Sequence, residues 1–308
     1  MDTVYGYEYT TGTHLIVTDE DAADFLQSQF TNELRPFEAG RCTYGLWLDV
    51  KGKVLADSYA LCEGEEAFRL ISETSEAAVL TEKLEKHIIA DDVEIETAEA
   101  VTGFALIGEG LESVLAALGL EIPAAGQFIA KGDLRVFLGR RSDQLNCEVV
   151  CLNSAAADAV RDACTVQSVE WADADSITLQ RISAGFPQVP VEIGPNDMPG
   201  EGGLESDAVS FTKGCYLGQE VVARMHNVGR PQRALFVVSG SDTCPESPIA
   251  IYNRETKQVG ELRTTVEANE GWLGVALLKH RFASVGDVLL AGDTELTVER
   301  VFRDQKGI

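Results

Sequence analysis

The chain has 308 residues, 45% of them hydrophobic, with 50 acidic and 25 basic side chains and a formal net charge of −25. That length normally divides into two or three domains, and the apolar share is enough for a real core. So negative a chain opposes nonspecific nucleic-acid binding, which depends on neutralising phosphates. It suits an acidic, soluble cytoplasmic protein, whether or not adapted to salt. Residues 1–8 lack the basic and apolar runs of an export or transit signal. No stretch approaches the roughly 20 apolar residues of a membrane span. The seven cysteines are odd in number and irregular in spacing, with no C-x-x-C pair, a pattern for a reducing compartment rather than a disulfide framework.

In chain order, residues 13–17 read as a strand and 19–29 as a helix, with Ala22, Phe25, Leu26 and Gln29 or Phe30 on one face. Strands follow over 42–50 and 54–62, joined by a turn at 50–53, and a further strand over 68–72. A helix over 75–87 and a strand over 93–98 complete a β-α-β-β-α-β order, which predicts a ferredoxin-like sandwich. A similar cycle recurs: strand 101–107, helix 111–118, strands 134–137 and 148–152, helix 155–163, and a lead-out over 165–169. The two α+β units are either linked in series or one lies inside the other. Cys147 and Cys151 share one face of a strand or a helix, with no histidine near, so core packing is favoured over a metal site. His14, His87 and His280 are likewise isolated from cysteine clusters.

A helix over 176–184 ends at Gly185. The loop over 186–206, with four prolines, is too long to be featureless in a compact domain, so it is expected to wall a ligand site or act as a linker. After residue 231 short strands at 234–239, 248–252, 260–266, 271–278 and 287–300 predict a small β-barrel. Two regions are expected, 1–230 and 231–308.

The densest chemistry lies at Lys213-Gly214-Cys215-Tyr216, followed by Gly218, Gln219, Glu220 and Arg224. Glycines on either side of the cysteine permit a tight turn or a close approach to a ligand. A helix beginning near Leu217 would place Glu220 and Arg224 on one face, an i,i+4 pair. Lys213 and the helix N-terminus would both favour a thiolate at Cys215. Two readings stay open: a reactive or ligand-binding thiol, and a small buried cysteine at a strand-to-helix turn. Arg224, His226, Arg230 and Arg233 form a local basic run that suits an anionic group, or a solvated loop with offsetting acids.

Residues 212–224 resemble the K-G-C-Y-x-G-Q-E signature of the YgfZ family, folate-binding relatives of the glycine-cleavage T-protein. The likeness extends to Phe25-Leu26-Gln27-Ser28-Gln29-Phe30-Thr31-Asn32-Glu33, where Ser28 and Glu33 depart from the family's F-L-Q-G-Q-x-T-N-D stretch. It includes the segment from Asp49 through Lys51-Gly52 to Asp57, similar to D-x-K-G-x-x-x-x-D, and Pro199-Gly200-Glu201.

This resemblance implies a T-protein-like three-domain ring: α+β, two ferredoxin-like units around a central folate-sized hole, plus the barrel. It implies tetrahydrofolate or a derivative as cofactor, with Asn32, Asp49, Asp57, Glu201 and Arg230 as candidate contacts, and Asp57 facing the pterin edge. It implies an accessory role in iron–sulfur cluster assembly or repair, with client or assembly proteins as partners and Cys215, aided by Lys213, presented at the rim. Neither a resident metal nor a nucleic-acid partner is expected, and the protein is expected to be a monomer. The alternatives are a folate-dependent aminomethyltransferase or other one-carbon transferase, and a tRNA-modification factor. The missing G-G-x-x-D-D pattern of the T-protein weighs against aminomethyl transfer.

Overall fold

Tyr5, Tyr7 and Tyr9 alternate with Gly6 and Glu8, the period of a strand, and in the structure they form one. This computed structural model describes residues 3–229 and 231–303. The strand, β1 (Tyr5–Thr10), was not anticipated, because its repeating side chains are tyrosines rather than aliphatics. Next come β2 (Thr13–Thr18), α1 (Ala22–Gln29), β3 (Arg41–Leu48), β4 (Val54–Gly64), β5 (Ala67–Ser72), α2 (Ala77–Glu85) and β6 (Glu94–Thr97). These strands form a sheet in the order β3-β4-β5-β2-β6. The second cycle is β7 (Thr102–Ile107), α3 (Leu111–Ala117), β8 (Phe128–Lys131), β9 (Leu134–Leu138), β10 (Asn146–Cys151), α4 (Ser154–Val166) and β11 (Glu170–Trp171). Its sheet runs β11-β1-β7-β10-β9-β8.

The two sheets share one plan, and β1 occupies the slot between β11 and β7 in the second. β1 runs antiparallel to β7 and parallel to β11. The first unit is therefore an excursion of the chain between two neighbouring strands of the other sheet. Sequence periodicity could not reveal this nesting, because pairing partners lie far apart in the chain.

Each sheet carries its helices on the outside. Phe25, Leu26, Leu80 and Leu84 of α1 and α2 pack on Leu15, Val17, Trp47 and Leu70. Leu111, Val114, Leu115, Val160 and Cys164 of α3 and α4 pack on Phe104, Leu106, Val136 and Val149. The bare faces meet each other: Cys42, Leu61 and Ile71 of the first sheet lie against Phe128, Phe137 and Val150 of the second. The layers are thus helix, sheet, sheet, helix. The inter-sheet contact is greasy at one end and polar at the other, and the polar end is the candidate site.

Beyond these lie α5 (Ala174–Ala184), a 3-10 turn (Pro199–Gly202), α6 (Glu205–Ala208) and α7 (Gln219–Val228). Gly185 ends α5 in the left-handed region, φ 73°, as its position predicts. Six strands close the barrel in the order β12-β15-β14-β13-β16-β17. They are β12 (Arg233–Gly240), β13 (Ile249–Tyr252), β14 (Gln258–Glu267), β15 (Trp272–Lys279), β16 (Val288–Ala291) and β17 (Thr294–Val301). β12 is apolar on both faces, as a strand buried on both sides must be. Ala234, Phe236 and Val238 fill the barrel. Leu235 and Val237 join a junction core with Leu46, Leu48, Ile182, Ile193 and Tyr216.

Ionic contacts fasten residues 186–206 to the rest. Asp197, 1% exposed, pairs with Arg233 at 3.1 Å and with Arg263. Arg233 also grips Glu201 at 2.7 Å, and Arg181 holds the fully buried Glu192 at 2.7 Å. The segment is a wall rather than a linker: Pro187, Gln188 and Val189 line one cavity, and Met198 to Gly203 line another.

Candidate functional site

The polar end of the inter-sheet gap is a cavity of about 180 Å³. Strand registry builds it. Tyr44 on β3 stands opposite Tyr59 on β4, with Asp57 two residues before Tyr59 on the same face. From the other sheet, Tyr7 and Glu148 lie in line across Ala105 of β7. Arg140 and Arg141 follow β9 and reach in beside them.

Asp57 is the chemical centre of this cavity. Ser75 Oγ donates to its Oδ1 at 2.6 Å, Ser72 Oγ to the same oxygen at 2.9 Å, and the Tyr44 hydroxyl to Oδ2 at 2.8 Å. Burial raises its carboxyl above the usual range, while these three hydroxyls and Arg140 oppose that rise. Oδ2 accepts one protein hydrogen bond and retains an acceptor position for a ligand N–H. Flat surfaces surround it: Tyr44 and Tyr59 have ring centroids 5.3 Å apart, and the Arg140 guanidinium lies 3.7 Å from the Tyr44 centroid. Deeper in, Arg141 bridges Glu73 and Glu148, each at 2.6 Å. The Tyr9 hydroxyl donates to Glu148 at 2.8 Å and that of Tyr7 to Glu73 at 3.1 Å. This network is internally satisfied and fixes the wall.

Sequence reasoning found Asp57 but missed Tyr7, Tyr9, Tyr44, Tyr59, Arg140, Arg141 and Glu148. Two signals were present: the Tyr-Gly-Tyr-Glu-Tyr alternation, and Glu148, an acid in the middle of an apolar strand.

A second cavity, about 1150 Å³, lies between the barrel, α7 and the 3-10 turn. Asn32 and Glu201 line it. Asn32 donates to the carbonyls of Tyr44 and Asp207, and Glu201 is held by Arg233 and by the Met198 N–H at 2.8 Å. The candidate folate contacts are therefore divided between two cavities. Asp49 lies in neither lining. Its carboxylate accepts from the N–H groups of Lys51 and Lys53, both at 2.8 Å, which closes the hairpin turn. Arg230 lies outside the described residues.

The signature loop sits on the 25–33 segment. Lys213 is buried, and its ammonium donates to the carbonyls of Gln27, Phe30 and Asn32 at 2.8, 2.7 and 2.7 Å. An ammonium has three donors, so all are used on main chain and none is left for Cys215. Burial pushes Lys213 down to about 8. Tyr216 is buried beneath the loop; burial lifts its phenol to about 12, and its hydroxyl has no hydrogen-bond partner among the described residues. Gly214 and Cys215 are exposed, so the buried-cysteine reading of position 215 does not hold. Gly218 caps α7 in the left-handed region, φ 85°, and Gln219 is its first residue. Glu220 and Arg224 are exposed on α7, with no ion pair between them. The Phe211 ring stacks on His226, centroids 4.0 Å apart.

All seven cysteines are free. Among the described residues, no group of three or more His, Cys, Asp or Glu side chains is placed to hold a metal ion. Among the described residues, no helix is long and apolar enough to cross a membrane.

Residues 2–129 match the family model of the GCVT N-terminal domain. The chain is 24% identical over 296 residues to the tRNA-modifying protein YgfZ of Colwellia psychrerythraea, covering 92% of this chain and 85% of that one. It is 29% identical to the human mitochondrial iron-sulfur cluster assembly factor IBA57, over 86% of this chain and 75% of that protein. Its fold superposes on the glycine cleavage system aminomethyltransferase T of Bartonella henselae with a TM-score of 0.83, covering 98% of this chain and 87% of that chain at 17% identity. These likenesses bear out the resemblance carried by the signature, and the T-protein-like architecture expected from it.

Proposed function

We propose that this chain, a YgfZ-like protein built on the T-protein fold, is a cytoplasmic folate-binding accessory factor for iron–sulfur cluster assembly or repair. The observation that carries the reading is the inter-sheet cavity, with Asp57 held among three hydroxyls and flanked by tyrosine rings and a stacked guanidinium. Those groups suit a pterin: a flat ring for the aromatic faces, and an edge of N–H donors for the free acceptor position on Asp57. At about 180 Å³ the cavity is below the ~300 Å³ at which sites for whole drug-sized ligands begin. The ring portion fits there, and the remainder of a folate must extend elsewhere.

The relatives' names support the cluster-assembly and tRNA-modification roles, and one accessory factor can serve both where a modifying enzyme itself carries a cluster. Cys215, exposed on a loop anchored by Lys213, would meet the client or its sulfur or iron cargo. Lys213 acts here as the anchor of the loop. The transferase alternative has no specific observation in its favour.

The test is calorimetric titration with tetrahydrofolate, alongside client-enzyme activities in a strain lacking the protein. Binding in the micromolar range that falls at least tenfold in Asp57→Asn is the expected result. Client activity should return with the wild-type gene and not with Cys215→Ser. Absence of tetrahydrofolate binding, or full complementation by Cys215→Ser, overturns the corresponding half of the reading.

A further inference from the structure

Asp207 ties a lining residue of the smaller cavity to a lining residue of the larger. Arg140, which lines the smaller cavity, donates from Nη2 to Asp207 Oδ2 at 2.7 Å and from Nε at 3.2 Å. Arg303, which lines the larger one, brings Nη1 to 3.0 Å from Asp207 Oδ1. The Phe186 ring stands beside both guanidiniums, at 4.9 and 5.5 Å. Asn32, in the larger lining, donates to the carbonyl of Tyr44, in the smaller lining, and to that of Asp207.

The Arg303 side of this fork is imperfect. Oδ1 of Asp207 and Nη1 of Arg303 are close enough for charge attraction but not aligned for a hydrogen bond, and each is buried without a hydrogen-bond partner among the described residues. Two guanidiniums thus converge on one carboxylate that satisfies only the first. Glu201, the nearby acid of the larger cavity, is already neutralised by Arg233. Glu205, also in that lining, hydrogen-bonds His226 at 3.3 Å.

We propose that Arg140 and Arg303 form a carboxylate subsite, filled here by the chain's own Asp207, which a ligand carboxylate displaces as the ligand extends from the smaller cavity into the larger. The ligand class is a carboxylate joined to a flat ring: the Phe186 and Tyr44 faces take the ring, and the arginine fork takes the anion. The proposal rests on the folate reading for the ligand's pterin end only. It explains how an extended molecule could use a 180 Å³ cavity, because displacement of Asp207 opens the 1150 Å³ one beyond it. Competition from Asp207 weakens the apparent affinity of any such ligand.

The test titrates tetrahydrofolate, 6-methyltetrahydropterin (no carboxylate) and p-aminobenzoylglutamate (no pterin) into wild type, Asp207→Asn and Arg303→Gln, each first checked for a cooperative melt. Asp207→Asn should bind the two carboxylated probes about tenfold tighter, and Arg303→Gln about tenfold weaker, with methyltetrahydropterin within about twofold in both. Unchanged affinity for the carboxylated probes, or an equal change for all three, overturns the proposal. If methyltetrahydropterin fails to bind while p-aminobenzoylglutamate still gains in Asp207→Asn, the pterin reading falls and the carboxylate subsite stands. If no probe binds any variant, both fall.

Discussion

A side-chain carbon on Gly218 would lie 2.8 Å from the carbonyl oxygen of Asp49, closer than real contacts of that kind. The start of α7 is therefore seated directly on the hairpin turn that Asp49 closes. Gly218→Ala meets that clash and a positive φ together. A loss of about 1–3 kcal/mol is expected in urea unfolding, with the slope unchanged. A midpoint equal to wild type would show that the loop does not need this seat.

Lys213→Met should be more damaging than its place on a surface loop suggests. It leaves the carbonyls of Gln27, Phe30 and Asn32 without their shared donor. Unpaired buried acceptors cost about 1–3 kcal/mol each where water cannot reach them, so a total of about 3 kcal/mol is expected. The same urea experiment reads it; a change under about 0.5 kcal/mol would mean that water replaces the ammonium.

Lys83 gives the protein a pH dependence of definite sign. It is 5% exposed, donates to Gln29 at 2.8 Å, and burial pushes it down to about 7. An unfolded lysine titrates near 10.4, so between about pH 7 and that value the unfolded chain binds more protons and stability rises with pH. The share of Lys83 alone from pH 7 to 9.5 is on the order of 2–3 kcal/mol. From about pH 8.5 the buried thiols of Cys42, Cys147, Cys151 and Cys164 oppose this share, and above about pH 10 so do the phenols of Tyr9, Tyr44 and Tyr59, all raised by burial. Lys83→Met should stabilise the protein at pH 7, and its advantage over wild type should shrink as pH rises toward 9.5; a constant difference between the two would assign the effect to another group.

Asp197→Ala should loosen the barrel from the rest of the molecule. The carboxylate is 1% exposed and shared by Arg233 and Arg263. Removing one partner of a buried ion pair costs about 3–5 kcal/mol, because the remaining charge is left without compensation. Limited proteolysis should then cut between residues 186 and 232. A digestion pattern like that of wild type would count against the coupling.

Local order was legible in the sequence where side chains repeat with a period. The helix of Phe25 and Leu26, the hairpin around Gly52, the stop at Gly185 and the barrel strands follow from spacing and turn residues. The central cavity was not legible, because it forms where two sheets meet and its walls come from distant strands. Tyr44 and Asp57 share one sheet, while Tyr7 and Glu148 belong to the other and Arg140 follows its β9. Lys213 illustrates the same limit. Cys215 lies two residues on in sequence, but the hydrogen-bond partners of Lys213 are about 180 residues away.

The nesting of the first unit inside the second sheet has a consequence for synthesis. Residues 13–97 complete their own sheet and helices as soon as they emerge, whereas β1, made before them, has no partner until β7 follows. Its parallel neighbour β11, through which Tyr5 pairs with Glu170, comes later still. The three tyrosines of β1 thus wait, unpaired and exposed, through the manufacture of an entire folding unit. Until β7 emerges, that N-terminal strand offers unpaired backbone edges, the state in which a growing chain is open to mispairing.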